Sequence, residues 1–179
     1  MESREAWDSV SLPYVLPRRA GQPDAWTEEA AQHGHVGSQI LREVTEVRPP
    51  NEIAEALGIL TDLAIVRRRT VLLDDRPVEL VDSYYPAALA RGTRLAEKSK
   101  IPGGAPTLLA KLGYQPVHLE EDVSARPATE EERHLLQLSD HEWVLVLIRV
   151  SRAHESTPVE VSVMTMVAHG RHLRYQLSM

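Results

Sequence analysis

Cysteine is missing from all 179 residues. Its absence excludes disulfides, thiolate metal sites and a cysteine nucleophile, and it fits a cytoplasmic chain. Phenylalanine is missing too, so the core has to be built from Val, Leu and Ile, with three Trp and five Tyr as the only aromatics. Positive charge is in short supply: 20 Lys and Arg stand against 26 Asp and Glu, a net charge of -6. Gripping DNA by counterion release needs the opposite balance, so direct DNA binding is not expected. No apolar run nears the ~20 residues of a membrane span. The charged opening MESREAWDSV is no signal peptide, so no membrane is expected as a partner. What remains is ordinary for a globular chain, 42% hydrophobic and 26% charged, in a length that suits one domain with an arm.

The pattern along the chain predicts an α+β fold. Residues 1–38 read as irregular, broken by Pro13, Pro17, Gly21, Pro23, Gly34 and Gly37, with a short helix at 26–32 capped by Thr27. Residues 39–48 read as a strand and 51–58 as a helix, with Asn51 as cap and Gly58 as stop. Residues 63–73 and 78–85 form a hairpin around Asp74-Asp75-Arg76-Pro77, and 86–91 allow one helical turn. After a loop at 92–104 come a helix at about 106–112, a polar strand at 114–125, and a helix opened by Pro127 and Thr129. There Thr129 and Glu132 have the capping-box spacing. Strands follow at 143–152, 159–167 and 171–177. A helix followed by a proline-closed hairpin thus occurs twice, over 51–85 and 129–167, each second strand opening Pro-Val-Glu. Two such units predict a central antiparallel sheet carrying helices, with a pseudo-twofold relation between the halves.

Several residues are candidates for a small-molecule site. Arg67 and Arg69 share one face of a strand. Two neighbouring guanidiniums repel unless an anion lies between them, so they either grip a phosphate or carboxylate or pair with Glu79 or Asp82 across the hairpin. Glu160, Ser162, Met164 and Met166 share one face of the penultimate strand, and Val159, Val161, Val163, Thr165 and Val167 share the other. The valine face is core. The mixed face suits a pocket of adaptable apolar groups with polar anchors, or else a partly exposed dimer surface. Ser83 ends the first hairpin with Tyr84 and Tyr85, only one of which can face the pocket. Tyr175 either closes the pocket or packs as an ordinary amphipathic residue. Gly104, at a helix start, either offers a free amide to an anion or simply makes a turn.

No metal or cofactor is expected. His33 and His35, or His169 and His172, lack a carboxylate at zinc spacing, and no HExxH, P-loop, dinucleotide fingerprint or nucleophile elbow is present. No residue is singled out as catalytic, and the sequence leaves open whether the chain is an enzyme. Glu160, Tyr85 and His118 are the acid–base candidates if it is.

The stretches IAEALGI (53–59), VRRRTVLLDDRPVELVDSYYP (66–86), IPGGAPTLLAKLGY (101–114), SARPATEEERHLLQL (124–138), and WVLVLIRV with PVEVSVM (143–164) resemble, in order and spacing, the UTRA domains of GntR-type regulators of the HutC branch, particularly actinobacterial ones. DAWTEEAAQHGHVGSQ (24–39) resembles the segment that opens the domain. The resemblance implies a chorismate-lyase-like fold, with residues 1–23 as an arm and 24–179 as the domain. It further implies an effector-binding sensor for a small molecule such as a sugar phosphate or amino-acid derivative, a homodimer, and an anion-binding arginine for which Arg69, by its distance from Pro77, is the better match. The sequence departs from the family in two respects. The winged-helix DNA-binding domain that ordinarily precedes a UTRA domain is expected to be absent, and the position after Gly103-Gly104 that usually holds tyrosine holds Pro106. The other reading is a free-standing UTRA-fold protein turned to lyase- or cyclase-like chemistry in a biosynthetic pathway, with a scaffold as a third.

Overall fold

A computed structural model describes residues 7–176. Its centre is a six-stranded antiparallel sheet in the order β2-β3-β4-β7-β6-β5. The strands are β2 (Gly37–Val47), β3 (Ala64–Leu73), β4 (Arg76–Pro86), β5 (His118–Pro127), β6 (Trp143–Arg152) and β7 (Pro158–Val167). The helices are α1 (Ala25–Gln32), α2 (Asn51–Leu57), α3 (Ala87–Ala90), α4 (Gly104–Lys111) and α5 (Glu130–Leu136). A two-residue turn closes the first hairpin. Asp74 and Asp75 both take positive φ, 48° and 63°, as a primed turn between twisted strands requires.

The duplication expected from the sequence is present, and each unit is longer by one strand. β2-α2-β3-β4 and β5-α5-β6-β7 meet where β4 pairs with β7, with Ser83 directly opposite Ser162. Each short helix is stopped by a residue in the left-handed region, Gly58 for α2 and Gln137 for α5. Thr129 and Glu132 close α5 with the reciprocal bonds of a capping box.

Both faces of the sheet are covered, which is why β6 and β7 carry apolar residues on both sides. On one face, Ile53 and Leu57 of α2 pack on Val66, Tyr84 and Val161, while Leu136 of α5 packs on Leu80, Val144 and Val167. On the other face the packing divides. Ala90, Leu95, Ile101 and Leu109 gather around Tyr85 and Ile65 at one end. Trp26 of α1 gathers Val71, Val81, Leu147, Met164 and Met166 at the other. The space between these two clusters is where a site can form.

Several local expectations change. Asp24, not Thr27, caps α1, since its carboxylate accepts from the Thr27 N–H at 3.0 Å. Asn51 is the first helical residue of α2, and Pro50 holds the cap position without a side-chain bond. α4 starts at Gly104, two residues early, and β5 runs from His118 to Pro127, so Pro127 ends a strand and does not open a helix. The arm is not wholly irregular. Trp7–Ser9 (β1) pairs in parallel with Arg171–Leu173 (β8), the short remnant of the strand expected at 171–177; residue 177 of that range lies outside the described ones. Gly37 is required by close approach. A Cβ there would stand 2.8 Å from the Trp26 carbonyl oxygen and from Ala30 Cβ, distances real side chains do not tolerate.

Candidate functional site

A cavity of about 410 Å³ occupies the divided face of the sheet. Its floor is Arg69, Val81, Tyr85, Arg149, Glu160, Ser162 and Met164, contributed by the four central strands. One wall is the loop from Lys100 into α4, through Gly103, Gly104, Ala105 and Pro106. Another wall is α1 at Trp26 and Thr27 together with the arm at Pro13–Leu16 and Arg18. The arm is held in place where the Arg18 N–H donates to Thr107 Oγ1 at 2.9 Å and the Arg18 guanidinium pairs with Glu28. The lining holds five cations, Arg18, Arg67, Arg69, Lys100 and Arg149, against three carboxylates, Asp24, Glu79 and Glu160. A chain with a net charge of -6 has therefore built one concavity with a positive bias.

Period-two alternation delivers the floor residues to one face, and hydrogen bonds join them into a directed chain. Arg69 Nη2 donates to Ser83 Oγ at 3.2 Å, Ser83 Oγ lies 2.7 Å from Ser162 Oγ, and Ser162 donates to Glu160 Oε1 at 2.6 Å. Because Ser162 spends its proton on Glu160, Ser83 must be the donor to Ser162. Tyr85 OH donates to the same Glu160 oxygen at 3.0 Å. Burial first, then the Glu160 charge, pushes the Tyr85 phenol well above its ordinary pKa, so it stays a donor. Glu160 Oε2 accepts no hydrogen bond among the described residues and is left for a ligand donor. Arg69 uses one more N–H on Gln39 Oε1, at 3.2 Å, while its Nε is buried with no partner. A buried donor without a partner beside a cavity is explained when a bound oxygen completes it.

Arg67 does something else. It is buried, and its guanidinium donates to four backbone carbonyls: Arg94 at 3.2 Å, Leu95 at 2.9 Å, Glu97 at 2.7 Å and Ser99 at 2.7 Å. It fastens the loop that leads into α4. Three of these bonds come from Nη1 and one from Nη2, so Arg67, which also borders the cavity, is turned mainly to the loop, and Arg69 is the better placed of the expected anion-gripping pair. Neither arginine makes the cross-hairpin pair. Arg68, on the opposite face, bonds Asp82 at 3.1 Å and also Glu43, and Glu79 faces Arg171 at 3.9 Å.

Other expected positions sort themselves. Tyr85 faces the cavity and Tyr84 packs under α2. Ser83 lies beneath the floor, fully buried, bonded to Arg69 and Ser162 but not lining the cavity. Met164 lines it, whereas Met166 is packed against Trp26. Gly104 borders the cavity, but its N–H donates to Ile101 O at 2.9 Å and is not free. The neighbouring Ala105 N–H makes no such bond among the described residues. Tyr175 is 54% exposed and outside the lining, beside Glu121 of β5 and Ser11 of the arm. His118 sits exposed at the start of edge strand β5 and is not part of the lining.

Sequence reading missed Arg149, and it named Glu79 only as a cross-hairpin partner for the arginines; both line the cavity. Arg149 is a lone cation in the apolar run WVLVLIRV. It lies on the floor with its Nε 2.6 Å from Glu121 Oε1, both side chains 10% exposed. Burial pushes the Glu121 carboxyl up, but the hydrogen bond and charge of Arg149 hold it below its usual value. Glu79 shows the reverse. Burial outweighs Arg171, Arg69 and Arg149 and raises its pKa. A raised folded-state pKa means that deprotonation costs folding stability as pH rises through it, and that the cost is gone below the unfolded value of about 4.3. Glu79→Gln is therefore expected to melt higher than the native chain near pH 7.5, with the gap closing toward pH 4. A gap that stays constant across thermal melts from pH 4 to 8 would contradict this.

Comparison with known proteins places this architecture. The UTRA domain family matches residues 31–169. An HTH-type transcriptional regulator of Rhizobium meliloti is 32% identical over 174 residues, 96% of this chain and 68% of the relative. One of Streptomyces coelicolor is 33% identical over 124 residues, 67% of this chain and 46% of the relative. This chain therefore spans about half to two thirds of the regulators it matches. Among solved structures, the effector domain of PhnF from Mycobacterium smegmatis superposes with a TM-score of 0.74 at 18% identity, covering 92% of this chain and 99% of that one. A GntR-family regulator from Enterococcus faecalis gives 0.68 at 22% identity, over 79% of this chain and 100% of that one. The fold is the chorismate-lyase-like α+β fold of such effector domains. The relatives are regulators, and the lyase- or cyclase-like enzyme reading finds no support among them. With a positively biased cavity on a duplicated sheet and the family match over most of its length, the chain belongs to the UTRA domain family, the effector-binding domains of GntR-type transcription regulators.

Proposed function

We propose that the cavity binds a small anionic metabolite, a sugar phosphate or acidic amino-acid derivative, as the effector of a cytoplasmic transcription regulator. The observation that carries this reading is the hydrogen-bonded chain from Arg69 through Ser83 and Ser162 to Glu160. It fixes a cation with spare donors and a carboxylate with a spare oxygen on one floor. Arg69 takes the anionic group, charge-assisted and multidentate. Glu160 Oε2 accepts from a hydroxyl or amine elsewhere on the molecule. Met164 supplies adaptable apolar contact, and Gly104, lacking a side chain, lets the ligand approach the start of α4.

This chain does not itself contact DNA. It senses the effector as a homodimer, and occupancy is transmitted because the ligand has different affinities for two arrangements of the dimer. The arm forms one cavity wall, so it is the segment that registers whether the cavity is filled. Thermal-shift screening against a panel of sugar phosphates and amino-acid derivatives tests the proposal. At least one anionic compound is expected to raise the melting temperature. No stabilisation by any anionic member, or stabilisation only by cationic ones, contradicts it.

A further inference from the structure

The sheet has two edges, β2 and β5. β2 is backed by α1, and its start is held through Val36, whose carbonyl accepts from the Asp74 N–H at 2.9 Å. β5 is bare. Seven of its ten residues are exposed, and it pairs only with β6 among the described residues. A long unpaired edge is a template for another strand.

The backbone parity of that edge can be derived. The β5–β6 register runs from His118 opposite Arg152 to Pro127 opposite Trp143, which puts Ala128 opposite Glu142. The Ala128 N–H donates to Glu142 O at 3.0 Å. Alternation along an antiparallel ladder then commits the even-numbered residues of β5 to β6. The N–H and C=O groups of Leu119, Glu121, Val123 and Ala125 point outward.

We propose that a second copy of this chain docks on that row, β5 against β5, about a two-fold axis through Val123. The proposal rests on the homodimer reading above and assigns its surface. In this register Val123 faces its counterpart, Glu121 faces Ala125, Asp122 faces Ser124, and Glu120 faces Arg126. Cross-strand opposite charges and an apolar pair at the axis are the favourable combination. Moving the axis to Glu121 sets Glu121 against Glu121 and Glu120 against Asp122. Moving it to Ala125 leaves an overlap only from Val123 to Pro127, one end of which has no N–H. The charge pattern therefore selects one self-complementary register, as an isologous interface requires. Arg126 holds Glu132 and is still 42% exposed, open to a partner carboxylate. Around the same edge, Val123, Val10 and Leu12 are exposed at 46%, 45% and 58%. The last two flank Ser11, whose hydroxyl donates to Glu121 at 3.0 Å. Pairing would withdraw this apolar fringe from water.

The absence of cysteine makes the test clean. The chain is expected to show twice its monomer mass by light scattering. Val123→Cys should form an intermolecular disulfide under mild oxidation, because a hydrogen-bonded pair sets Cα atoms about 5.5 Å apart, within disulfide reach. Ile40→Cys, at a 54% exposed position on β2, should not cross-link. Val123→Pro removes an outward N–H without touching the β6 ladder, and should give the single mass with an unchanged circular dichroism spectrum. If that variant fails to fold, the Val123→Cys cross-link still decides. A double mass with Ile40→Cys cross-linking and Val123→Cys inert overturns the β5 interface and leaves the homodimer standing. A single mass at every concentration overturns both.

Discussion

Arg67→Met is expected to destabilise the domain by about 3 kcal/mol, the upper range for leaving one buried acceptor unmade. The Leu95 carbonyl is bonded to Arg67 in a fully buried setting, so it has nowhere else to turn. The carbonyls of Arg94, Glu97 and Ser99 are only partly buried and can recover water, which is why four lost bonds do not add. Burial disfavours the Arg67 charge and lowers its pKa. Removing that charge therefore returns part of the loss, and methionine keeps most of the volume. For a domain of this size, a melting temperature lower by roughly 6–12 °C follows. Scanning calorimetry checks it, and a decrease under 2 °C would mean that the loop from Arg94 to Ser99 holds its shape without the arginine. Because that loop carries the chain into α4, ligand affinity should fall with it even though Arg67 touches no ligand in this account.

Arg69→Met is expected to act in the opposite manner, with little effect on melting and a large one on binding. Arg69 uses two of its five donors inside the chain, on Gln39 and Ser83, so its loss leaves the fold nearly intact. A charge-assisted hydrogen bond contributes about 1.5–3 kcal/mol. Two such bonds to an anion, discounted for non-additivity, correspond to a loss of affinity of about 100-fold. Arg68→Met, one residue away and on the opposite face with Glu43 and Asp82, should bind as the native chain does. Titration calorimetry with any stabilising sugar phosphate separates the two. Equal losses for both variants would show that general charge, and not the Arg69 geometry, carries affinity.

Much of this was readable from residue order. The paired aspartates at 74–75, the Thr129–Glu132 box and the Gly58 stop are local signals whose physics acts within a few residues, and each appears where expected. The repeated helix-hairpin unit foretold the pseudo-twofold sheet, and period-two alternation grouped Arg69, Glu160, Ser162 and Met164. What failed depended on chain segments distant in sequence. Arg67 and Arg69 have the same type, spacing and face, and only the return of residues 94–99 over one of them assigns one to structure. The parallel pairing of β1 with β8 joins two three-residue segments from opposite ends of the chain, too short for any periodicity to register. Asp24 and Thr27 are both good caps, and only the helix start chose between them. Arg149 carried a signal that was overlooked: a lone cation in an otherwise apolar strand must face something that compensates it.

A crystal structure of the chain with a stabilising sugar phosphate bound tests the central claim most directly. The account predicts the anionic group at hydrogen-bond distance from Arg69, beside the start of α4, with a ligand hydroxyl or amine on Glu160. An anion seated on Arg149 and Lys100 with Arg69 untouched, or a ligand outside this cavity altogether, would contradict it.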